Sequence, residues 1–367
     1  MAQDHRGYLV KRSAGDRKQS TVSFIIILLM AMLITLPLIS IGCTTTAPQE
    51  ETEEEAEQEE EAEDETEEDG EEVEPEAGTS QMAFIRGGDV YLFDLGSGSV
   101  SRLTNLETVT ALAVKRGGSE LAIATYTMDT EGYYAIETMK LDGSGRKEIL
   151  REQYEEGIVS LSYTPDGAYV YYTLHPHQVI FGHVSRVNTS TGAVDDLDTF
   201  KEQEEHVETF GFASVSPDGG KLACQHYFFA KDPGSGAITG VSQAKLCLMN
   251  LDGSDPADLA NITLDPSDIN LSAPAWSFDG TSIAYIGADE QVWRIGADGS
   301  SPFKLTDTGT GCGYPDWDPD GDLITFTWGA GYCPPSGAMY SVPSTGGTPS
   351  DIMAGSTDSS GRWMLVP

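Results

Sequence analysis

The sequence predicts an all-β fold, a six-bladed β-propeller, behind an export segment and a disordered acidic linker. Three observations carry this expectation. The first is the stretch Ala275–Thr306. It holds four short apolar or alternating runs, Ala275–Trp276, Ser282–Ile286, Gln291–Ile295 and Phe303–Thr306. Asp279-Gly280 and Asp298-Gly299 mark two of the turns between them, because Asp and Gly tolerate the positive φ of a tight hairpin. Four antiparallel strands in so short a span make one small twisted sheet. Alone it cannot bury both faces, so it needs neighbours of its own kind.

The second observation is that those neighbours exist. Trp276-Ser277-Phe278-Asp279-Gly280 is matched by Trp317-Asp318-Pro319-Asp320-Gly321, Tyr163-Thr164-Pro165-Asp166-Gly167 and Val215-Ser216-Pro217-Asp218-Gly219. Val114-Lys115-Arg116-Gly117-Gly118 is a worn copy. A β-rich run follows each one. The second hairpin turn recurs as Asp142-Gly143, Thr191-Gly192, Asp252-Gly253, Asp298-Gly299 and Thr345-Gly346.

The third observation is how the ring closes. The first unit, beginning at Met82–Ile85, has no opening strand of its own. The step from Leu305 to Trp317, repeated from Ile352, lands on Met364. The C-terminal run Trp363–Val366 therefore completes the N-terminal sheet. The count is six units of about 48 residues; seven, with one eroded copy, is the alternative.

Before the repeats come two segments of different character. Residues 1–43 read as a lipoprotein signal or N-terminal membrane anchor. Arg6, Lys11, Arg12, Arg17 and Lys18 precede the uncharged, apolar run Val22–Gly42, which is long enough to span a bilayer. Leu38-Ile39-Ser40-Ile41-Gly42-Cys43 resembles a lipoprotein cleavage box, with Cys43 as the acylated residue; Ser40 stands where that box usually has Leu. Either reading places everything after Cys43 outside the cytoplasm, on the cell surface or in the periplasm. Residues 44–79 form the linker. Residues 50–76 carry 19 Asp or Glu and no Lys or Arg. Such a tract cannot bury enough apolar surface to offset the entropy of ordering, and like charges keep it extended.

The whole chain has 367 residues and a net charge of −38. Residues 80–367 remain acidic once the linker is set aside. This excludes nucleic acid, whose phosphates require Lys and Arg.

The pattern Trp276-Ser277-x-Asp279-Gly280-x-x-Ile283-Ala284-Tyr285 resembles the TolB-type, WD40-like (PD40) propeller repeat. That repeat also builds the propellers of dipeptidyl peptidase IV relatives. The resemblance covers residues 80–367 and is specific for fold rather than activity. It implies an extracytoplasmic protein that binds other envelope proteins. No hydrolase domain follows the repeats, so peptidase activity does not carry over.

In each sheet the first-to-second and third-to-fourth turns are tight. The long segments fall on the opposite face, among them His175–His183, Phe228–Gly240, Phe200–Gly211 and Trp328–Gly337. Binding residues concentrate on loops carried by a rigid scaffold, so this elaborated face is expected to carry the function. Its candidates are His175, His177, His183 and His206, with Trp328 and Tyr332 as stacking residues. Four cysteines follow Cys43, an even number in an exported chain. Their places in the blades select the disulfides Cys312–Cys333 and Cys224–Cys247. Asp316, Asp318 and Asp320 with Gly321 mimic the start of a calcium loop, but its twelfth position is Thr327, not a bidentate Glu. No cofactor is assigned, and calcium is the one ion the pattern suggests.

No Gly-x-Ser-x-Gly elbow, His-Glu-x-x-His helix or phosphate loop stands out. The first reading of function is thus a non-enzymatic, membrane-tethered scaffold that binds envelope or surface proteins, or glycan. The alternative is an extracytoplasmic propeller hydrolase or lyase acting on saccharide or peptide.

Overall fold

The computed structural model describes residues 81–127, 132–152, 156–176, 182–197, 199–262, 272–309, 311–329, 338–353 and 361–364. Residues 1–80, with Cys43 and the acidic linker, lie outside them, as do His177, Tyr332 and Cys333. Among the described residues no helix is long and apolar enough to cross a membrane.

The described strands form six sheets. The first begins with β1 (Gln81–Arg86), β2 (Asp89–Asp94) and β3 (Val100–Arg102). The second is β4 (Val109–Val114), β5 (Glu120–Thr127), β6 (Tyr133–Lys140) and β7 (Lys147–Glu152). The third is β8 (Glu156–Tyr163), β9 (Tyr169–Pro176), β10 (His183–Asn188) and β11 (Val194–Asp196). The fourth has five strands: β12 (Phe200–Glu202), β13 (His206–Val215), β14 (Lys221–Lys231), β15 (Ile238–Asn250) and β16 (Ala257–Asn261). The fifth is β17 (Ala275–Trp276), β18 (Ser282–Ile286), β19 (Val292–Gly296) and β20 (Phe303–Lys304). The sixth is β21 (Cys312–Trp317), β22 (Leu323–Trp328), β23 (Ala338–Pro343) and β24 (Ser350–Asp351). The last strand, β25 (Gly361–Met364), returns to the first sheet.

Every ladder is antiparallel, and the first sheet has the order β25-β1-β2-β3. The register Gln81↔Met364 to Phe84↔Gly361 joins the two ends of the repeat region. The opening strands β25, β4, β8, β13, β17 and β21 touch in sequence and close a ring. This is a six-bladed β-propeller, and it settles the count against seven.

The fourth blade departs from expectation. Phe228–Gly240, read as a long loop, is mostly ladder: β14 pairs with β15 from Lys221↔Asn250 to Lys231↔Ile238. Tyr227, Phe229 and Val241 are buried there and pack in one cluster with Tyr285 of the next blade. That apolar support lets the hairpin extend beyond the length of its neighbours.

The repeated motif is a hydrogen-bonded cassette. In three blades a hydroxyl at its second position accepts the amide five residues on: Tyr169 N to Thr164 Oγ1 at 3.0 Å, Lys221 N to Ser216 Oγ at 2.9 Å, Ser282 N to Ser277 Oγ at 3.0 Å. Each hydroxyl also donates to the Asp two residues on, at 2.6 Å. The following glycines Gly167, Gly219, Gly280 and Gly321 have φ of 70, 70, 74 and 78°, which a side chain would strain. The tryptophans join blades. Trp276 Nε1 donates to Ser214 O at 3.0 Å, and Trp317 Nε1 to Ala275 O at 3.1 Å.

The sixth blade replaces the hydroxyl by Asp318, whose Oδ1 accepts Leu323 N at 3.0 Å. Burial, with Asp320 nearby, raises the Asp318 pKa. A carboxyl whose folded pKa is raised favours the folded state below its unfolded pKa. That contribution disappears as pH rises through the folded value. Asp318→Ser removes the buried charge and restores the donor to Asp320. It is expected to raise Tm at pH 7 by roughly 1–3 °C, with the gain vanishing near pH 4, as thermal melts across that range would show.

Candidate functional site

The inner strands of a propeller leave a hollow on the axis wherever their side chains are small. Here Ala113, Ser162, Ala213, Ser214, Ala273 and Ala275 stand at the ends of the inner strands or beside them. They border a cavity of about 150 Å³. Five blades contribute: Ala113–Gly117 from the second, Leu161–Tyr163 and Pro165 from the third, Ala213–Pro217 from the fourth, Ala273–Trp276 and Phe278 from the fifth, and Asp316 from the sixth. Its rim is made by the tight turns after the inner strands.

The walls mix apolar side chains such as Leu161, Phe278 and Trp276 with polar groups, among them Ser162, Ser214 and Ser216. Arg116 lies on the turn of the second blade and donates through Nη2 to Phe278 O of the fifth, at 2.9 Å. Those two blades are opposite in a ring of six, so Arg116 crosses the mouth. Lys115 beside it reaches Glu120 Oε2 at 3.5 Å. Both cations come from the worn copy of the motif, where four other blades have Thr164-Pro165, Ser216-Pro217, Ser277-Phe278 and Asp318-Pro319. Tyr163 lines the cavity and is 7% exposed; its Oη has no hydrogen-bond partner. Burial raises its pKa, so it stays a neutral phenol. Asp316 is the one carboxylate among the described lining residues.

This is the face expected to be the plainer one. Loop length in the sequence points to the elaborated face; the cavity lies behind the tight turns. Lys115, Arg116, Tyr163 and Phe278 were therefore missed as site residues. The break in the repeat at Lys115-Arg116, two cations where four blades carry a hydroxyl or Asp followed by Pro or Phe, was the available signal.

The sequence candidates are scattered. His175 lies on β9. His183 opens β10, and burial lowers its pKa although Asp196 opposes this. His206 opens β13, with Nε2 2.9 Å from Glu208 Oε1. Trp328, at the end of β22, packs edge-on against Tyr340 with ring centroids 4.7 Å apart, a rim packing role. Asp316, Asp318 and Asp320 do not gather. Among the described residues, ligand atoms converge for an ion only at His226, Cys247 and Asp258.

Cys224 and Cys247 face each other across β14 and β15, as expected. Both are thiols in the structure, with no bond between them. Their sulfurs reach backbone carbonyls: Cys224 Sγ donates to Cys247 O at 3.6 Å and Cys247 Sγ to Leu248 O at 3.4 Å. Buried among Leu222, Phe210 and Met249, they pack as small apolar side chains. Cys312 is buried, its sulfur within reach of the Thr306 and Thr308 hydroxyls; its expected partner Cys333 lies outside the described residues.

An axial cavity in a closed ring of blades defines the class: a β-propeller with a hollow at the channel mouth. Solved structures place its fold more closely. TolB from Acinetobacter baumannii superposes with a TM-score of 0.51 at 14% identity, over 79% of this chain and 67% of that one. Kuenenia stuttgartiensis hydrazine synthase superposes with a TM-score of 0.57 at 16% identity, over 78% of this chain; the match spans 47% of the length of that one. The fold is thus a TolB-like propeller. No protein-family model and no curated protein matches the chain.

Proposed function

We propose that this protein is a membrane-tethered, extracytoplasmic propeller whose channel mouth binds a segment of an envelope or surface protein. The observation that carries the reading is the axial cavity, where Leu161, Trp276 and Phe278 stand among polar groups, with Lys115 and Arg116 at its rim in a chain of net charge −38. Apolar side chains to receive an anchor, beside polar groups to orient it, are what binding a peptide segment needs. Two adjacent cations suit a carboxylate or a run of backbone carbonyls. Hydrolysis or lysis would need a convergent general base. The described lining offers two cations, a neutral phenol and the single carboxylate Asp316 rather than a convergent set of titratable groups, which supports binding over the enzymatic alternative. The lipid or helix at residues 1–43 and the charged linker 44–79 would hold this mouth away from the membrane.

The test is affinity capture from a native envelope extract with the full chain as bait. Two altered baits accompany it: Lys115→Ala with Arg116→Ala, and a chain with residues 328–337 scrambled. A protein retained by the native bait and at least tenfold depleted by the double variant supports the reading. Depletion by the scrambled bait alone moves the contact to the elaborated face and overturns it. Retention of no protein by the native bait overturns protein binding itself.

A further inference from the structure

The fourth blade holds a second cluster of chemistry, away from the channel. His226 on β14 is 5% exposed, and its ring sits against Phe210 and Phe228 with centroids 4.1 Å away in each case. Both ring nitrogens face carboxylates. Nδ1 is 2.9 Å from Asp258 Oδ1 on β16. Nε2 lies 3.4 Å from Glu208 Oε2 on β13 and makes no hydrogen bond. Cys247 on β15 is the ladder partner of Asp258. The ligand atoms of His226, Cys247 and Asp258 all lie within 4.8 Å of one another.

We propose that His226 Nδ1, Cys247 Sγ and an Asp258 oxygen form a binding site for a zinc-class divalent transition metal. Three arguments support it. The donors are one imidazole nitrogen, one sulfur and one carboxylate oxygen, a set that suits zinc, cobalt or nickel and not calcium or magnesium. A tetrahedral ion with ordinary bond lengths sets such ligands about 3.3–3.5 Å apart. The His226–Asp258 contact opens slightly, and Cys247 closes in, to reach that geometry. Glu208 stands where an outer carboxylate belongs. A metal-bound imidazole donates its other N–H to a carboxylate, which fixes tautomer and ring orientation; metal at Nδ1 puts that proton on Nε2, facing Glu208.

The remaining contacts are consistent with this. Lys245 Nζ holds Asp258 Oδ2 at 2.9 Å, leaving Oδ1 for the ion. Glu208 uses its other oxygen for His206 Nε2, at 2.9 Å. The Asp258 side chain is 31% exposed on the outermost strand of its blade, which provides the entry path. Binding exchanges a proton for the ion: the Cys247 thiol loses its proton to solvent as the sulfur–metal bond forms, and no redox partner is involved.

Cobalt(II) reports the site directly. The full chain, reduced and stripped with chelator, is titrated with Co²⁺, then competed with Zn²⁺. One equivalent should bind with a thiolate-to-cobalt charge-transfer band and the visible bands of a tetrahedral ion, all abolished by Zn²⁺. Cys247→Ser should lose the charge-transfer band, and His226→Gln and Asp258→Asn should weaken binding at least tenfold. Glu208→Gln should weaken it by about 10–100-fold while keeping the charge-transfer band, which separates an orienting role from a ligand. Cys224→Ser should bind as the parent does; it also removes any competing Cys224–Cys247 disulfide. Circular dichroism verifies that each variant is folded. A Cys224→Ser chain with no charge-transfer band overturns the proposal. So does a band that survives in Cys247→Ser, since another thiol would then account for it.

Discussion

Deleting Gly361–Met364 is expected to abolish cooperative folding of the propeller. The strand contributes only four ladder positions, Gln81↔Met364 to Phe84↔Gly361. Its loss nonetheless reaches further than one edge. β25 is the inner strand of the first blade and touches β21 on one side and β4 on the other. Without it the ring is open at both contacts, and β1 becomes an edge strand with Met82, Ala83 and Phe84 at its ladder face, all fully buried in the intact protein. An apolar unpaired edge recruits other chains. The shortened protein should elute as aggregate on size exclusion and show no sharp thermal transition. A monomer with a melting curve like that of the parent would mean that the ring does not depend on its clasp.

Trp317→Ala is expected to be the most costly single substitution among the repeat tryptophans, at about 3–5 kcal/mol. Trp317 is 4% exposed and packs with Ala275, Ile324 and Phe326 across the junction of the fifth and sixth blades. Its Nε1 also satisfies Ala275 O on the neighbouring inner strand. Trp317→Phe keeps much of the packing and leaves that carbonyl unpaired, at a cost of about 1–2 kcal/mol. Urea denaturation of the three proteins resolves the two contributions. Equal losses in Ala and Phe would place the whole effect in the hydrogen bond and contradict the packing argument.

The repeat was legible because its information is local. Asp-Gly turns, alternating runs and the hydroxyl two residues before each Asp are all set within a few positions, and the structure uses them as one cassette in the third, fourth and fifth blades. The clasp was legible from spacing alone. The reach of β14 and β15 was not: Phe228–Gly240 contains Gly234, Gly236 and Gly240, which read as loop, while burial of Tyr227, Phe229 and Val241 against the next blade sustains the ladder. His206 was singled out and His226 passed over for a related reason. His226 sits in an alternating, apolar-looking run, and only the pairing of β13 to β16 reveals that Glu208, Cys247 and Asp258 share its surroundings.

What the amino-acid sequence determined by itself is the unit, its repetition, its closure and the acidic balance of the chain. Those follow from periodicity and turn chemistry within each copy; six blades over seven was decided by the ring of sheets. The tertiary structure alone decided which face has a cavity, that Arg116 spans it to Phe278, and that His226 lies between two carboxylates. Each of these is a meeting of residues from different strands or opposite blades. Their distances depend on how the sheets are arranged about the axis, and no spacing along the chain encodes that arrangement.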